Sequence, residues 1–292
     1  MNNKIALITG ATNGIGKQTA ISLAKLDYQV IITERNKESG EKAVKEIQQL
    51  SGNSKIDLFL SDISTQAGIH SLANQLKQKY ERLDVLINNA GLASPERELT
   101  QDGIESNFAV NVIAPFLLTR LLMDVLRLSF SARVVSVAGG KHPSKIELDN
   151  LQAERKFDGL NSYSHSKTIM MAVMYEFAQQ TKGTNVTSNI CYPGQASTTM
   201  TQSVTPEMLP KVMLFLFPLF KLAVRSDGSK SAEKASRSSV YLASSLDVEG
   251  ISGKYFNSKC KDVNLPKVVL NQTTRTNLWE YVERLLNNSV KI

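Results

Sequence analysis

The run IALITGATNGIGKQTA, Ile5 to Ala20, decides the fold. It opens with an apolar run of strand length. It then passes through Gly10, Gly14 and Gly16, spaced GxxxGxG, and continues with the period of an amphipathic helix. A glycine-rich turn between a strand and a helix lets the backbone approach a pyrophosphate. The helix N-terminus adds free N–H groups and the positive end of its dipole. Gly10, Thr12, Asn13, Gly14, Ile15 and Gly16 are therefore candidate contacts to a dinucleotide. Tight strand-to-helix turns use glycine for their own reasons, so the triplet gains its weight from its place after a first strand.

Outward from this stretch, apolar runs of strand length recur at IALIT, QVIIT, IDLFL, DVLIN, RVVSV and VTSNICY. Segments of helical period separate them, including Lys37 to Leu50 and Ala67 to Tyr80. Strands alternating with helices predict βαβ crossovers: an α/β fold with a doubly wound parallel sheet, a Rossmann fold with helices on both faces. Neither repeat nor linker interrupts the pattern, so residues 1–292 read as one domain that closes with a helix at RTNLWEYVERLL. The second strand ends in Glu34 and Arg35. A carboxylate there accepts from the ribose hydroxyls of NAD(H), whereas an arginine pairs with the 2′-phosphate of NADP(H). After the third strand, LSDIS places Asp62 and Ile63 either at the adenine edge or in a helix cap.

Composition limits the function classes. Of 292 residues, 42% are hydrophobic and 21% charged, which fits a folded chain and excludes wholesale disorder. The net charge of +7 is scattered, so no nucleic-acid partner is expected. Two cysteines, Cys191 and Cys260, make no framework and no CxxC pair, so no metal site is expected either. A reducing, cytoplasmic compartment fits, and a strand pattern starting at the N-terminus predicts no signal peptide. The apolar stretch Val212 to Val224 carries Pro218 and Lys221 and is too short to span a bilayer. It predicts, within residues 200–230, a lid over a lipophilic substrate or a segment in peripheral contact with a membrane.

The helical run NSYSHSKTIMMAVMYEFAQ sets Tyr163 and Lys167 at i and i+4, on one face. A phenol with a pKa near 10 exchanges protons poorly at neutral pH, and a neighbouring ammonium is expected to lower that value. Taken with LSDIS, INNAG, NFAVNVIAPFLLT and CYPGQASTTM, these motifs resemble the short-chain dehydrogenase/reductase family. The similarity is to its retinol-dehydrogenase-like branch and runs over nearly the whole chain.

The resemblance implies an NAD(P)-dependent oxidoreductase that moves a hydride between nicotinamide and a lipophilic alcohol or carbonyl. Tyr163 would be the general acid/base. Lys167 would also bind the nicotinamide ribose, and Asn111 would hold a proton-relaying water. Asn88, Asn89, Ala90 and Gly91 would form the turn beside the cofactor, while Pro193, Gly194 and Thr198 would line the nicotinamide site. That branch carries arginine at the position of Arg35, which favours NADP(H) slightly. Homodimers built on the helices after the fourth and fifth strands are a further implication.

One position departs from the family. The serine expected at the end of the fifth strand, which orients the reacting oxygen, is Gly139 in ARVVSVAGGKHPSK. Ser136 lies three residues back, about 10 Å along the strand and on its opposite face. A loop histidine such as His142 is expected to face solvent. The departure keeps a second reading open: a cofactor-binding sensor or scaffold with weakened catalysis.

Overall fold

Alternate residues of the central strands enter two different cores, and that alternation organises the molecule. In the computed structural model, which describes residues 3–194 and 228–288, Leu7, Leu86 and Val134 face one core. Their neighbours Ala6, Ile8, Ile87 and Val135 face the other. Strands buried on both faces need continuous apolar runs, which is the pattern the sequence shows.

The chain proceeds through β1 (Ile5–Ile8), α1 (Gly14–Lys25), β2 (Gln29–Glu34), α2 (Lys37–Ser51), β3 (Ile56–Leu60), α3 (Gln66–Lys79) and β4 (Val85–Asn88). Then come α4 (Ser106–Phe108), a π-helical turn (Ala109–Ile113), α5 (Ala114–Leu121), α6 (Met123–Arg127), β5 (Ala132–Val137), α7 (Gly159–Gln180) and β6 (Val186–Cys191). The later part holds α8 (Gly228–Ser244), β7 (Tyr255–Phe256), β8 (Asp262–Val263), α9 (Lys267–Leu270) and α10 (Gln272–Asn288). The sheet order is β3-β2-β1-β4-β5-β6-β7-β8, with only the β7–β8 pair antiparallel. This is the expected doubly wound fold. Its order reverses between β1 and β4, where such sheets open a crevice at the carboxyl ends of the strands.

Leu23 of α1, Ile47 of α2 and Leu242 of α8 fill the core on one face. Leu72 of α3, Phe116 of α5 and Met171 of α7 fill the other. The closing helix lies on α5 and α7. Trp279 meets the Phe116 ring edge-on at 4.8 Å between centroids, and Arg275 pairs with Glu176 at 2.9 Å. No helix among the described residues is long and apolar enough to cross a membrane. Val212 to Val224, like the rest of 200–227, lies outside the described residues, as does Thr198.

Candidate active site

Thr9, at the end of β1, begins the site. Its hydroxyl accepts from the N–H groups of Asn89 and Ala90, both at 3.1 Å, tying the β4 turn to the glycine loop. Asn89 completes the tie by donating Nδ2 to the carbonyls of Thr9 and Gly10, each at 2.9 Å. Gly16 is forced by this approach: a Cβ there would stand 2.3 Å from Gly10 O and 2.4 Å from Asn89 Nδ2. Asn13 caps α1 without a side-chain bond, no acid occupies the first turn, and the first intrahelical bond runs from Lys17 N to Asn13 O. The N–H groups of Gly14, Ile15 and Gly16 thus point out of a twelve-residue helix without acceptors among the described residues. That donor set fits a pyrophosphate. Gly16→Ala is expected to weaken binding of nicotinamide dinucleotides about tenfold or more, because the loop must open to admit the methyl group. Fluorescence titration checks this, and an unchanged Kd would show that the dinucleotide lies elsewhere.

At the end of β2, Glu34 is held in place. Its Oε2 accepts from Thr12 Oγ1 at 2.8 Å, and Oε1 accepts from the N–H groups of Arg35 (2.8 Å) and Asn36 (3.3 Å). The Arg35 side chain is exposed and makes no ion pair or hydrogen bond among the described residues. Asp62 uses Oδ1 on the N–H and hydroxyl of Ser64, holding the turn before α3, while Thr65 caps that helix. Ile63 is half-buried and packs on the core. Asn88 is buried and donates to Thr119 Oγ1 at 3.1 Å, so it braces β4.

The turn Asn89–Gly91 joins the glycine loop to α7. On one side, a Cβ on Gly10 would lie 2.9 Å from Ala90 Cα. On the other, a Cβ on Gly91 would lie 3.1 Å from Lys167 Nζ and 3.3 Å from Asn111 Oδ1. Asn111 sits in the π-helical turn, a distortion that often marks functional sites. Its amide donates to Leu92 O (2.8 Å) and Ser166 Oγ (2.9 Å) and accepts from Leu92 N (2.9 Å). One lone pair on its oxygen is left for a further donor.

Lys167 is 4% exposed, and its Nζ donates to Val137 O at 3.1 Å. Burial pulls its pKa down to about 8. Tyr163 moves the other way: burial first, then the Tyr192 hydroxyl, push it up to about 12. This corrects the expectation that the lysine lowers the tyrosine's pKa. The ammonium is spent on the Val137 carbonyl, and desolvation governs the phenol. Pro193 is buried and Gly194 takes φ +82°, turning the chain at the end of β6.

His142 also departs from expectation, folding back instead of facing solvent. Thr168 donates its hydroxyl to Ser164 O at 2.8 Å, so it receives the proton of His142 Nδ1 at 3.3 Å. His142 Nε2 is then free to accept from the Tyr255 hydroxyl at 3.3 Å. His165 Nε2 accepts from Glu147 N at 3.1 Å, so two imidazoles pin the loop after β5. Ser136 is fully buried with its hydroxyl unpartnered, and it does not serve the site. Sequence reasoning passed over Thr9, Ser164, Ser166 and Tyr192. The hydroxyl spacing in YSHSKT was the one available sign of the two serines.

Buried N–H groups without acceptors are rare and cost about 1–3 kcal/mol each. Gly139 is buried, and its N–H has no acceptor among the described residues. Residues 4–209 match the family model described as short chain dehydrogenase. The chain is 33% identical to human retinol dehydrogenase 14 over 297 residues, covering 97% of this chain and 86% of the relative. It is 34% identical to mouse retinol dehydrogenase 12, covering the same shares. Among solved structures, an uncharacterized protein from Mycobacterium paratuberculosis superposes with a TM-score of 0.74 at 22% identity, covering 97% of this chain and 93% of that one.

Proposed function

Because the chain belongs to the short chain dehydrogenase family, and is thereby an NAD(P)-dependent oxidoreductase, we propose that it interconverts a lipophilic carbonyl compound and its alcohol, with Tyr163 as the proton donor and acceptor. The observation that carries this reading is the Asn89–Gly91 turn. It touches the glycine loop on one side and Lys167 with Asn111 on the other, so phosphate donors and proton-transfer groups share one cleft. Relatives named retinol dehydrogenases and the apolar run Val212 to Val224 support a lipophilic substrate.

Nicotinamide, when bound, supplies or takes the hydride and its two electrons at the substrate carbon. The chain's own residues do the rest. In reduction, the Tyr163 O–H bond breaks and its proton passes to the substrate oxygen. Lys167 and Asn111, which adjoin at Gly91, would return a proton to the phenolate. With its pKa pushed up to about 12, Tyr163 holds that proton throughout the neutral range, the form that reduction needs, although the same burial makes it a weaker donor.

For the cofactor we propose NADP(H), with the free Arg35 side chain pairing with the 2′-phosphate and the fixed Glu34 carboxylate opposing it. Arg35→Ala is expected to raise the Kd for NADPH about tenfold and leave that for NADH unchanged. Glu34→Gln is expected to shift the ratio the other way. Equal loss for both cofactors in Arg35→Ala would sink the assignment.

The test of the whole reading is titration with NADPH and NADH, then single-turnover mixing with a long-chain aldehyde beside a Tyr163→Phe control. Cofactor oxidation that depends on Tyr163 supports it. Tight cofactor binding without turnover across a broad panel of apolar aldehydes and ketones would favour the sensor reading, to which Gly139 lends its weight.

A further inference from the structure

The end of β5 presents a donor that the protein itself does not use. Ala138 N–H donates to Cys191 O at 2.8 Å, and Lys141 N–H donates to Ser164 Oγ at 3.2 Å. Between them, the N–H groups of Gly139 and Gly140 have no acceptor among the described residues. Gly140 is exposed and turns the chain at φ +74°, whereas Gly139 is buried. The space beside Gly139 belongs to Tyr163: a Cβ built there would lie 2.2 Å from its hydroxyl oxygen and 3.3 Å from Cζ. A side-chain hydroxyl at 139 would have to hang from that Cβ, so it cannot coexist with the tyrosine as placed. Any donor that this position gives to an oxygen at the Tyr163 hydroxyl must come from the backbone.

We infer that the buried Gly139 N–H positions the reacting oxygen of the substrate, in place of a side-chain hydroxyl, and that the missing side chain lets Tyr163 and that oxygen reach the backbone. The donor is held before substrate arrives. His142 anchors the loop to Thr168 and Tyr255, and Ser164 accepts from the Lys141 N–H two residues on. Preorganised donors of this kind act where charge develops on oxygen and need no reorganisation during the reaction. Gly139 is thus a positioning residue. The inference rests on the proposed oxidoreductase reading and deepens it.

The test removes that one N–H. The full-length chain is made with glycolic acid in place of Gly139, so that an ester replaces the amide without adding a side chain. Single-turnover reduction of decanal is expected to slow about 10²–10³-fold, with the Kd for cofactor unchanged. The carbonyl stretch of N-octylformamide, a carbonyl that cannot be reduced, is read by isotope-edited infrared spectroscopy in the cofactor complex. It is expected at lower frequency in the native chain than in the ester chain. Gly139→Ser is the second variant, and its Cβ is expected to displace Tyr163 and lower turnover about tenfold or more. A native rate in the ester chain, a carbonyl stretch indifferent to the ester, or a serine variant faster than the native chain overturns the inference. The two readings fail separately. A native chain that never turns over ends the oxidoreductase reading, while the infrared comparison still decides whether the N–H holds a carbonyl.

Discussion

Tyr163→Phe is expected to lower single-turnover reduction of a long-chain aldehyde by about 10²–10⁴-fold while leaving the Kd for cofactor within twofold of the native value. The prediction is clean because the hydroxyl makes no hydrogen bond among the described residues. Removing it strands no partner and should change stability by less than about 1 kcal/mol. A large loss of rate in a chain that melts normally then belongs to proton transfer and not to folding. The pH profile adds a second reading. With Tyr163 at about 12, reduction finds its proton in place from pH 6 to 10, so a fall in rate within that range is expected only where Lys167 loses its charge, about pH 8. Oxidation of the alcohol needs the phenolate, whose fraction rises about tenfold per pH unit below the pKa, so its rate should climb steeply over the same range. A phenylalanine variant that keeps more than a tenth of the native rate would remove Tyr163 from the chemistry.

What the sequence made legible was local. The strands of the sheet, the glycine turn and the i, i+4 pair are each written within a few consecutive residues, and periodicity or spacing reads them directly. The parts it hid depend on residues far apart in the chain. His142 reaches Tyr255 across 113 positions, and no local pattern in KHPSK announces that contact. Thr12 reaches Glu34 across 22, which leaves Arg35 as the unengaged charge. The direction of Tyr163's shift was misread for the same reason. Helical spacing puts Lys167 on its face but does not say that the ammonium turns to Val137 O, nor how fully the phenol is desolvated. Gly139 was legible as an absence in the sequence, and only the structure shows that the Tyr163 hydroxyl fills the space.

Lys167→Met is expected to abolish most turnover and yet make the protein more stable at pH 7. The lysine is 4% exposed and carries one hydrogen bond, to Val137 O, which does not repay the loss of water around an ammonium. Its pKa of about 8, against the usual 10.5, sets the cost of keeping it charged in the folded chain at roughly 3 kcal/mol. Between those two values the unfolded chain binds a proton that the folded chain does not. Stability from this group therefore rises with pH through the window, and the full penalty applies below pH 8. Methionine removes the charge but leaves Val137 O without its donor, so the net gain at pH 7 should be about 1–3 kcal/mol. The gain should shrink as pH climbs from 8 toward 10.5. Tyr163, raised by burial, pulls stability down as the medium turns alkaline in both proteins. Cys191, also raised by burial, does so too, but its thiolate and the Lys167 ammonium attract one another, so its share does not cancel fully in the difference. Urea unfolding of the two chains from pH 6 to 10.5 reads the effect. A variant less stable than the native chain, or a difference that ignores pH, would mean that Lys167 is a structural residue. A gain that fades on schedule would mean that folding carries a charged lysine in this cleft at a loss, as a site kept for proton transfer requires.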